Sequence, residues 1–461
     1  MPEAVSNAAP PLTGSQLSRA QWAFAFALVT SLFFTWGFAY GLLDVLNAHF
    51  QNVFGIDKTQ STLLQLAYFG AYLVFSPVAG IFAGIHLGLS LYSLGAVFFW
   101  PSARFAKYGG FVGCTFVIGC GLATLEVAAN SYIAVLGTPQ YASSRLNFSQ
   151  GFQGVASFSG PLIASRWFFL GANENSLGTV QWVYLAVAGL GLVLNILFYF
   201  CHLPEIEEEA ALYQIPVDGP QPEIEPFWKQ YRCIFGFVAQ TAYVGAQVGV
   251  ASLAVNFMSE QGIGISESRA SQLFSFCQMT FTAGRFIGVL ILKFVDPALL
   301  LSIYSLACCA FSLAVALATG EAGVGCLFGL FFFESICYPC IFTLATKNLG
   351  VYTKQGSGLI VMGVGGGAWY PPAQGHVADT ISTRRSYLVP FSGYVAMAIY
   401  AIGLVINQTV KGGFRLRNQE EDYIREKPSA EEERMTVESD RRSDEKEKQE
   451  LEGSVEEVKS D

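Results

Sequence analysis

Three carboxylates lie inside long apolar stretches of the sequence: Asp44, Glu126 and Glu334. An ionisable side chain in a hydrocarbon environment is costly, so such a group usually faces a cavity or a partner. None of the three has a Lys or Arg one helical turn away. Because burial disfavours the charged form, each carboxyl is predicted to bind and release a proton. The alternative is a permanently protonated acid that forms a helix-packing hydrogen bond.

Amide side chains recur at helical spacing near these acids: Asn130, Asn147, Gln150, Gln153, Gln240, Gln247 and, standing alone, Gln65. Asn130 follows Glu126 by four residues and therefore shares its helix face. Amides both donate and accept hydrogen bonds, which suits a polyhydroxylated ligand. The alternative is hydrogen bonding between membrane helices. Substrate binding is predicted for all of these amides except Gln240, together with Glu126.

Three aromatic residues near the polar positions, Trp36, Tyr40 and Tyr338, are candidates for stacking on the apolar face of a sugar ring, and Trp36 and Tyr338 are predicted to contact the substrate. Plain packing is the alternative, since aromatic residues make up 14% of the chain.

Sequence motifs for other chemistry are absent. The glycines between residues 363 and 367 have neither the preceding strand nor the Lys-Ser/Thr of a phosphate-binding loop. Cys337 and Cys340 have C-x-x-C spacing without a thioredoxin-like context. We expect no enzyme, no metal site, no nucleic-acid binding and no cofactor, with the proton as the coupling ion.

The elements that must position these residues are membrane spans. The chain has 461 residues, of which 52% are hydrophobic and only 13% charged, whereas a soluble domain has about 25% charged residues. A membrane helix needs about 20 apolar residues, and the sequence predicts twelve spans: 22–46, 61–83, 85–101, 109–136, 145–170, 179–202, 231–258, 270–293, 298–318, 322–345, 356–376 and 386–408. The first span is expected to be an anchor and not a cleaved signal peptide.

The domain organisation follows from these spans. It comprises an N-terminal segment (1–21), a six-helix bundle (22–202), a polar linker (203–228), a second six-helix bundle (229–408) and a charged tail (409–461). The tail is predicted to be disordered.

A weak internal repeat relates the two halves, because the residues from Leu87 to Leu94 resemble those from Leu299 to Leu306. In the second half, eighteen steps separate Gly284 from Ser302, but only ten separate Gly80 from Ser90. The first half therefore lacks about eight residues between its second and third spans, and the turn is predicted near residues 83–86. This shortening is either a real variant or an error in the gene structure.

Lys and Arg in the connections give the orientation, since they accumulate on the cytoplasmic side. Counting Arg145 and Arg285 among the inner residues, the bias favours cytoplasmic N- and C-termini. We expect a monomeric, multi-pass protein of the plasma membrane, with the lipid bilayer and a small sugar as its partners.

Several stretches are similar to the L-fucose permease-like branch of the major facilitator superfamily, the sugar:proton symporters: residues 33–37, 43–44, 125–130, 135–137, 145–150, 243–247, 284–286, 338–339 and 347–350. The resemblance covers about residues 21–408. It implies a major facilitator fold with two six-helix bundles. It also implies that Asp44 handles protons on the outer side, that Glu126 couples sugar contact to protonation, and that Gln150 and Gln153 contact sugar.

The chain departs from that pattern in three places. Residues 40–43 lack the Asn-rich turn before the aspartate, which leaves fucose itself open as the substrate. Glu334 replaces a neutral residue of the bacterial carriers, and the residues around it are similar to fungal members. The basic, Gly-containing connection between spans 2 and 3 is missing.

The function expected from sequence is proton-coupled symport of a fucose- or hexose-like monosaccharide by alternating access. Two alternatives remain open. One is an uncoupled facilitator of another neutral polar solute, and the other is a non-transporting nutrient sensor that signals through its acidic tail.

Overall fold

The structure is a computed structural model, and it describes residues 12–13, 17–55, 63–82, 84–168, 178–201, 203, 206–207 and 226–418. Within these ranges, residues 12–13, 39–53, 82, 160–168, 179, 206–207 and 267–268 are described by their backbone alone.

The described chain is almost entirely helical. The first half contains α1 (Arg19–Phe54), α2 (Leu63–Phe82), α3 (Ile85–Arg104), α4 (Tyr108–Val135), α5 (Ala142–Phe168) and α6 (Gly178–Phe200). The second half contains α7 (Tyr231–Ser259), α8 (Glu267–Ile291), α9 (Pro297–Leu317), α10 (Gly320–Glu334), α11 (Cys337–Thr346), α12 (Thr353–Met362), α13 (Tyr370–Thr380), α14 (Thr383–Ser386) and α15 (Leu388–Gly412). Short 3₁₀ turns occupy Pro139–Tyr141, Phe227–Lys229, Gly350–Tyr352 and Gly363–Ala368. Two-residue strands, β1 (Leu12–Thr13) and β2 (Ile206–Glu207), pair in parallel.

These helices form twelve spanning segments, as predicted, since three of the segments consist of two helices each. The pairs α10–α11, α12–α13 and α14–α15 each form one segment. Among the described residues, nine segments are long and apolar enough to cross a membrane. The remaining three are α3, α5 and α12–α13, which are richer in polar residues or interrupted by glycines.

A belt of apolar side chains covers the outside of this helical body. Val74, Ile81, Val193, Leu290 and Ile399 are all more than half exposed. Exposed apolar side chains on several helices are suited to lipid and not to water. The body is thus an all-α integral membrane structure.

Two helix contacts bring backbones together at glycine. A Cβ placed on Gly358 of α12 would lie 2.8 Å from the Cα of Gly80 in α2. A Cβ placed on Gly37 of α1 would lie 2.2 Å from the carbonyl oxygen of Gln153 in α5. Both distances are shorter than carbon contacts allow, so only glycine permits these approaches.

The connections α2–α3, α4–α5, α8–α9 and α11–α12 lie at the end of the bundle where α1 begins, here called the N-terminal end. The two halves touch there. The Ser143 hydroxyl is 2.6 Å from that of Thr343, and Ser144 Oγ donates to the Val289 carbonyl over 3.0 Å. This end of the structure is closed by direct contacts between α5 and the second half.

A short strap after α15, residues 413–418, crosses the N-terminal end. Asn418 Nδ2 donates to the carbonyl oxygens of Gln140 and Leu292, each over 2.9 Å. Gln140 Nε2 donates back to the Asn418 carbonyl over 3.0 Å. The Asn418 N–H donates to the Phe294 carbonyl over 3.1 Å. The strap therefore ties the α4–α5 connection to the α8–α9 connection.

Arg145 has a different position from the one assumed for the orientation count. It is buried in the first turn of α5 and donates to the carbonyl oxygens of Ile133, Ala134 and Thr138. Ile133 and Ala134 lie in the last turn of α4, where main-chain acceptors lack helical partners, and Thr138 lies in the connection that follows. Arg145 is a capping residue within the fold, so it should not be counted as a loop charge.

The turn between α2 and α3 lies where it was predicted. α2 ends at Phe82 and α3 begins at Ile85. His86 Nδ1 lies 2.6 Å from Asn195 Oδ1 in α6, and Asn195 Nδ2 donates to Ser90 Oγ over 3.0 Å. These polar contacts fasten the start of α3 to α6.

Candidate substrate and proton site

Glu126 lies at the centre of the site, in the middle of α4. Fifteen residues of α4 are buried. The Glu126 side chain is 1% exposed. Asn130 is also buried, and its Nδ2 lies 3.5 Å from Glu126 Oε1, so the pair shares a helix face as predicted.

Tyr338 reaches Glu126 from the second half of the chain. Its hydroxyl donates a short hydrogen bond to Glu126 Oε1. The spanning segment breaks between Glu334 and Cys337, and α11 then carries Pro339 in its first turn. Proline is tolerated there because N–H groups in the first turn have no helical acceptor. The break thus places a tyrosine against a carboxyl group of the opposite half.

Arg285 of α8 is a charged residue of the site that the sequence prediction missed. Its side chain is 5% exposed and lies over the Phe281 ring, 4.8 Å from the ring centroid. Nη1 donates to the Gln150 carbonyl over 2.7 Å and reaches Gln153 Oε1 at 3.4 Å, while Nε donates to the Ser335 carbonyl over 3.2 Å.

The position of Arg285 corrects the orientation count. The guanidinium is close enough to Glu126 and Tyr338 to interact with both electrostatically. It was assigned to a cytoplasmic connection, whereas it lies inside the bundle. Arg285 is the only charged residue between Ala270 and Leu292. Like the three acids, it is an ionisable residue inside an apolar stretch, and that is the signal by which the sequence marks it.

Four buried amides around this cluster keep polar atoms without a hydrogen-bond partner among the described residues. The atoms are Asn130 Oδ1, Asn147 Oδ1 and both amide atoms of Gln150 and Gln240. Glu126 Oε2 is in the same condition. A buried polar atom that lacks a partner costs about 1–3 kcal/mol. Such a concentration is expected where a polar ligand supplies the missing hydrogen bonds.

Gln240 belongs to this group, although it was left out of the predicted substrate-binding set. It is fully buried on α7, and its side chain lies beside the Tyr338 hydroxyl. Its position two turns before Gln247 was the available signal. Gln247 itself is half-buried, one turn beyond Tyr243.

Glu334 forms a second buried carboxyl cluster at the end of α10. The Tyr394 hydroxyl donates a short hydrogen bond to Glu334 Oε1. The Tyr243 hydroxyl donates to the Glu334 carbonyl over 2.7 Å. Oε2 has no hydrogen-bond partner in the described part of the chain. The contacts of Glu334 come from α7 and α15, so this cluster lies within the second half.

The other predicted residues are placed as follows. Trp36 is buried, and its Nε1 donates to the Tyr68 hydroxyl over 3.2 Å. Gln65 is half-buried in the first turn of α2, about 10 Å along the helix from Tyr72. Asp44 lies in α1, but its side chain is outside the described part of the structure.

Comparison with known proteins supports the geometric description. Residues 24–370 match the Major Facilitator Superfamily. A glucose/galactose transporter of Brucella abortus is 32% identical over 404 residues, covering 85% of this chain and 97% of that protein. The L-fucose-proton symporter of Escherichia coli is 32% identical over 407 residues, covering 82% of this chain and 92% of that protein.

Solved structures give the same result. The crystal structure of the superfamily transporter FucP in the outward conformation has a TM-score of 0.72 at 29% identity, and it covers 83% of this chain and 99% of that one. The proton:xylose symporter XylE has a TM-score of 0.64 at 12% identity, covering 84% of this chain and 97% of that one, which supports the fold alone.

Proposed function

The chain belongs to the Major Facilitator Superfamily, and we propose that it is a secondary active transporter that carries a monosaccharide together with a proton by alternating access. Relatives named as glucose/galactose transporters and as L-fucose-proton symporters match it over most of their length. Because one relative of each name is 32% identical, the proposed substrate class is a hexose or 6-deoxyhexose.

One observation carries this proposal. A buried carboxyl group of the first half, Glu126, is hydrogen-bonded to Tyr338 of the second half. It lies among amides that have unpartnered donors and acceptors. Sugar hydroxyls both donate and accept, so they can satisfy these atoms. A proton on Glu126 changes the contact between the two halves, and sugar binding changes the same surroundings.

Coupling follows from this shared location. A ligand shifts a conformational equilibrium only as far as it binds the two states with different free energies. Glu126 comes from α4 of the first half, whereas Tyr338 and Arg285 come from α11 and α8 of the second half, so their distances from Glu126 depend on how the two halves are arranged. Protonation and sugar occupancy therefore act on the same equilibrium.

Further assignments belong to the same proposal. We place Asp44 and Glu334 as additional proton sites. Asn130, Asn147, Gln150, Gln153, Gln65, Gln247 and Trp36 are placed as sugar contacts. The N-terminal end of the bundle would face the cytoplasm in the plasma membrane, and the protein would act as a monomer of two bundles joined by the linker at 203–228.

The decisive experiment is uptake of labelled D-glucose, D-galactose and L-fucose into reconstituted vesicles with an imposed pH gradient. Glu126→Gln keeps the size of the side chain but cannot exchange a proton. We expect proton-driven accumulation by this variant to be at least about tenfold lower than by the parent protein, while exchange of labelled for unlabelled sugar persists. A tenfold loss corresponds to about 1.4 kcal/mol.

Glu321→Gln is the matched control, because Glu321 is an exposed carboxylate in the first turn of α10. It should accumulate sugar like the parent protein. Equal proton-driven accumulation by Glu126→Gln would overturn the role of Glu126. Sugar uptake by the parent protein that ignores the pH gradient would instead indicate an uncoupled facilitator.

A further inference from the structure

The segment formed by α10 and α11 is interrupted just before Tyr338. Only Ser335 and Ile336 separate the two helices. In a continuous helix the N–H of residue 339 would donate to the Ser335 carbonyl, four residues earlier, but proline has no N–H. Pro339 therefore leaves this carbonyl without a donor on its own helix.

Side chains from two other helices donate to the main-chain oxygens at this break. Tyr243 of α7 is fully buried, and its hydroxyl donates to the Glu334 carbonyl over 2.7 Å. Arg285 Nε of α8 donates to the Ser335 carbonyl over 3.2 Å. Inside a membrane, carbonyl oxygens freed by a helix break must find donors within the protein. These two hydrogen bonds therefore stabilise the interrupted backbone.

α8 also packs closely against the break. A Cβ placed on Gly284 would lie 2.5 Å from Ser335 Oγ and 3.0 Å from the Phe332 carbonyl oxygen. One turn later, a Cβ placed on Gly288 would lie 2.2 Å from Ile336 Cγ2. The break is thus in contact with α8 at two glycines, while a tyrosine hydroxyl donates to it from α7.

The break determines where the Tyr338 hydroxyl lies. Tyr338 is the second residue of α11, and it donates to Glu126 of the first half. Because α11 begins directly after the break, a change in the backbone at residues 335 and 336 shifts Tyr338 relative to Glu126. The contact between the two halves therefore depends on the geometry of the break.

The two donors at the break differ in the halves that they join. Tyr243 and Glu334 both belong to the second half. Arg285, in contrast, also donates to the Gln150 carbonyl of the first half over 2.7 Å. Tyr243 thus stabilises the break through a contact within the second half, and Arg285 connects the same break to α5.

We propose that Tyr243 is a positioning residue: its bond to the Glu334 carbonyl fixes the α10–α11 break and thereby places the Tyr338 hydroxyl for proton coupling. This inference rests on the proposed proton-coupled function. Tyr243 acts through Tyr338 and not directly on the proton or the sugar.

The test is a double-mutant cycle with Tyr243→Phe and Tyr338→Phe in reconstituted vesicles, using labelled D-glucose, D-galactose and L-fucose. Each single variant should lower proton-driven accumulation about fivefold, the loss expected for one hydrogen bond. In the Tyr338→Phe protein, adding Tyr243→Phe should lower accumulation by less than about twofold further, because the hydroxyl that it positions is already absent. The sugar concentration that half-saturates exchange should stay within about twofold of the parent value, since no amide of the site is altered.

Tyr387→Phe is the matched control. Tyr387 is also fully buried, and its hydroxyl donates to a main-chain oxygen, the Val250 carbonyl, over 3.3 Å. That carbonyl belongs to the uninterrupted helix α7 and not to the break. The control should accumulate sugar like the parent protein. A loss equal to that of Tyr243→Phe would show that removing any such buried hydroxyl is sufficient, and it would overturn the proposal.

Gly284→Ala is a second variant, which displaces the break from α8 without removing a hydroxyl. It should lower accumulation severalfold alone and have little further effect in the Tyr338→Phe protein. If Tyr243→Phe does not fold, this pair completes the test. Losses that multiply when Gly284→Ala and Tyr338→Phe are combined would show that the break does not act through Tyr338.

The outcomes separate this inference from the proposed function. The positioning role is wrong if Tyr243→Phe or Tyr338→Phe accumulates sugar like the parent protein, or if their losses multiply in the double variant. The coupling role of Glu126 stands in each of these cases, provided that Glu126→Gln loses accumulation. If Glu126→Gln accumulates sugar normally, the proposed function itself fails.

Discussion

At the scale of single residues, the site combines one acid, one base and tyrosine hydroxyls from several helices. Glu126 and Arg285 are both buried, yet the guanidinium donates to main-chain oxygens of Gln150 and Ser335 and not to the carboxylate. The charge of Arg285 is therefore partly satisfied by the helix framework. In the proposed mechanism, Glu126 can therefore gain or lose a proton without leaving a bare cation.

Replacing Arg285 tests whether its shape or its charge matters. Lysine keeps the charge but lacks the planar guanidinium group that donates to two separate carbonyl oxygens. Losing one hydrogen bond of a charged group costs about 1.5–3 kcal/mol. We expect Arg285→Lys to reduce both accumulation and exchange by about tenfold or more, measured with labelled sugar in vesicles.

Arg269→Lys is the control for this substitution. Arg269 is exposed near the start of the same helix, where it contacts Gln272. It should transport like the parent protein. Parent-like transport by Arg285→Lys would show that a positive charge alone is sufficient.

Predictability differed between residues for physical reasons. Glu126 and Asn130 could be paired in advance because helical spacing places both on one face. Tyr338 was expected to contribute its ring, but the structure uses its hydroxyl as a donor to Glu126. Periodicity along one helix contains no information about which residue of another helix will meet it.

At the scale of elements, the short connection between α2 and α3 is the most unusual feature. Only residues 83 and 84 separate the two helices. The corresponding α8–α9 connection of the second half runs from Leu292 to Asp296, and it forms part of the strap contact. The N-terminal end therefore has an extended, contacting connection in one half and a minimal turn in the other.

Lengthening the α2–α3 turn should increase transport. Inserting about eight residues with one glycine and two basic side chains between Phe82 and Ile85 would restore a connection able to contact the other half. We expect the initial rate of sugar uptake to rise severalfold in vesicles. The same insertion between Phe105 and Lys107, at the opposite end, is the control and should not raise uptake. Unchanged uptake after the first insertion would count against this idea.

Element boundaries were predictable where composition changes and not where glycine or proline interrupts a span. The twelve segments and the 83–86 turn follow from hydrophobicity and from spacing between the halves. The breaks at Ser335 and at Gly363–Ala368 divide apolar segments from within. The break at Gly363–Ala368 depends on packing against α7, since a Cβ on Gly366 would lie 2.1 Å from the Thr241 carbonyl oxygen.

At the scale of the whole molecule, the strap at 413–418 joins connections from the two halves. Opening the N-terminal end requires Gln140 to part from Asn418, because Gln140 belongs to the first half and Leu292 to the second. The strap hydrogen bonds therefore favour the closed arrangement at this end. No sequence pattern could indicate this contact, since it joins residues 278 positions apart.

Asn418→Ala removes the side-chain part of this contact. We expect amide hydrogen exchange in residues 136–142 and 292–296 to accelerate severalfold, because the variant loses the two hydrogen bonds from Asn418 Nδ2 to the Gln140 and Leu292 carbonyls. Asn407→Ala, at an exposed position of α15, is the control and should leave both segments unchanged. Identical exchange in the two variants would show that the strap does not hold this end.

The approach of Gly358 to Gly80 gives a means of trapping one conformation. A methyl group at Gly358 acts as a wedge against the backbone of α2, and no rotation of a side chain can relieve it. Gly358→Ala would exclude the conformation that is closed at the N-terminal end and enrich the conformation that is open there. It changes no residue proposed to contact the sugar or the proton. That variant would be a uniform specimen for electron cryomicroscopy and for selecting conformation-specific antibodies.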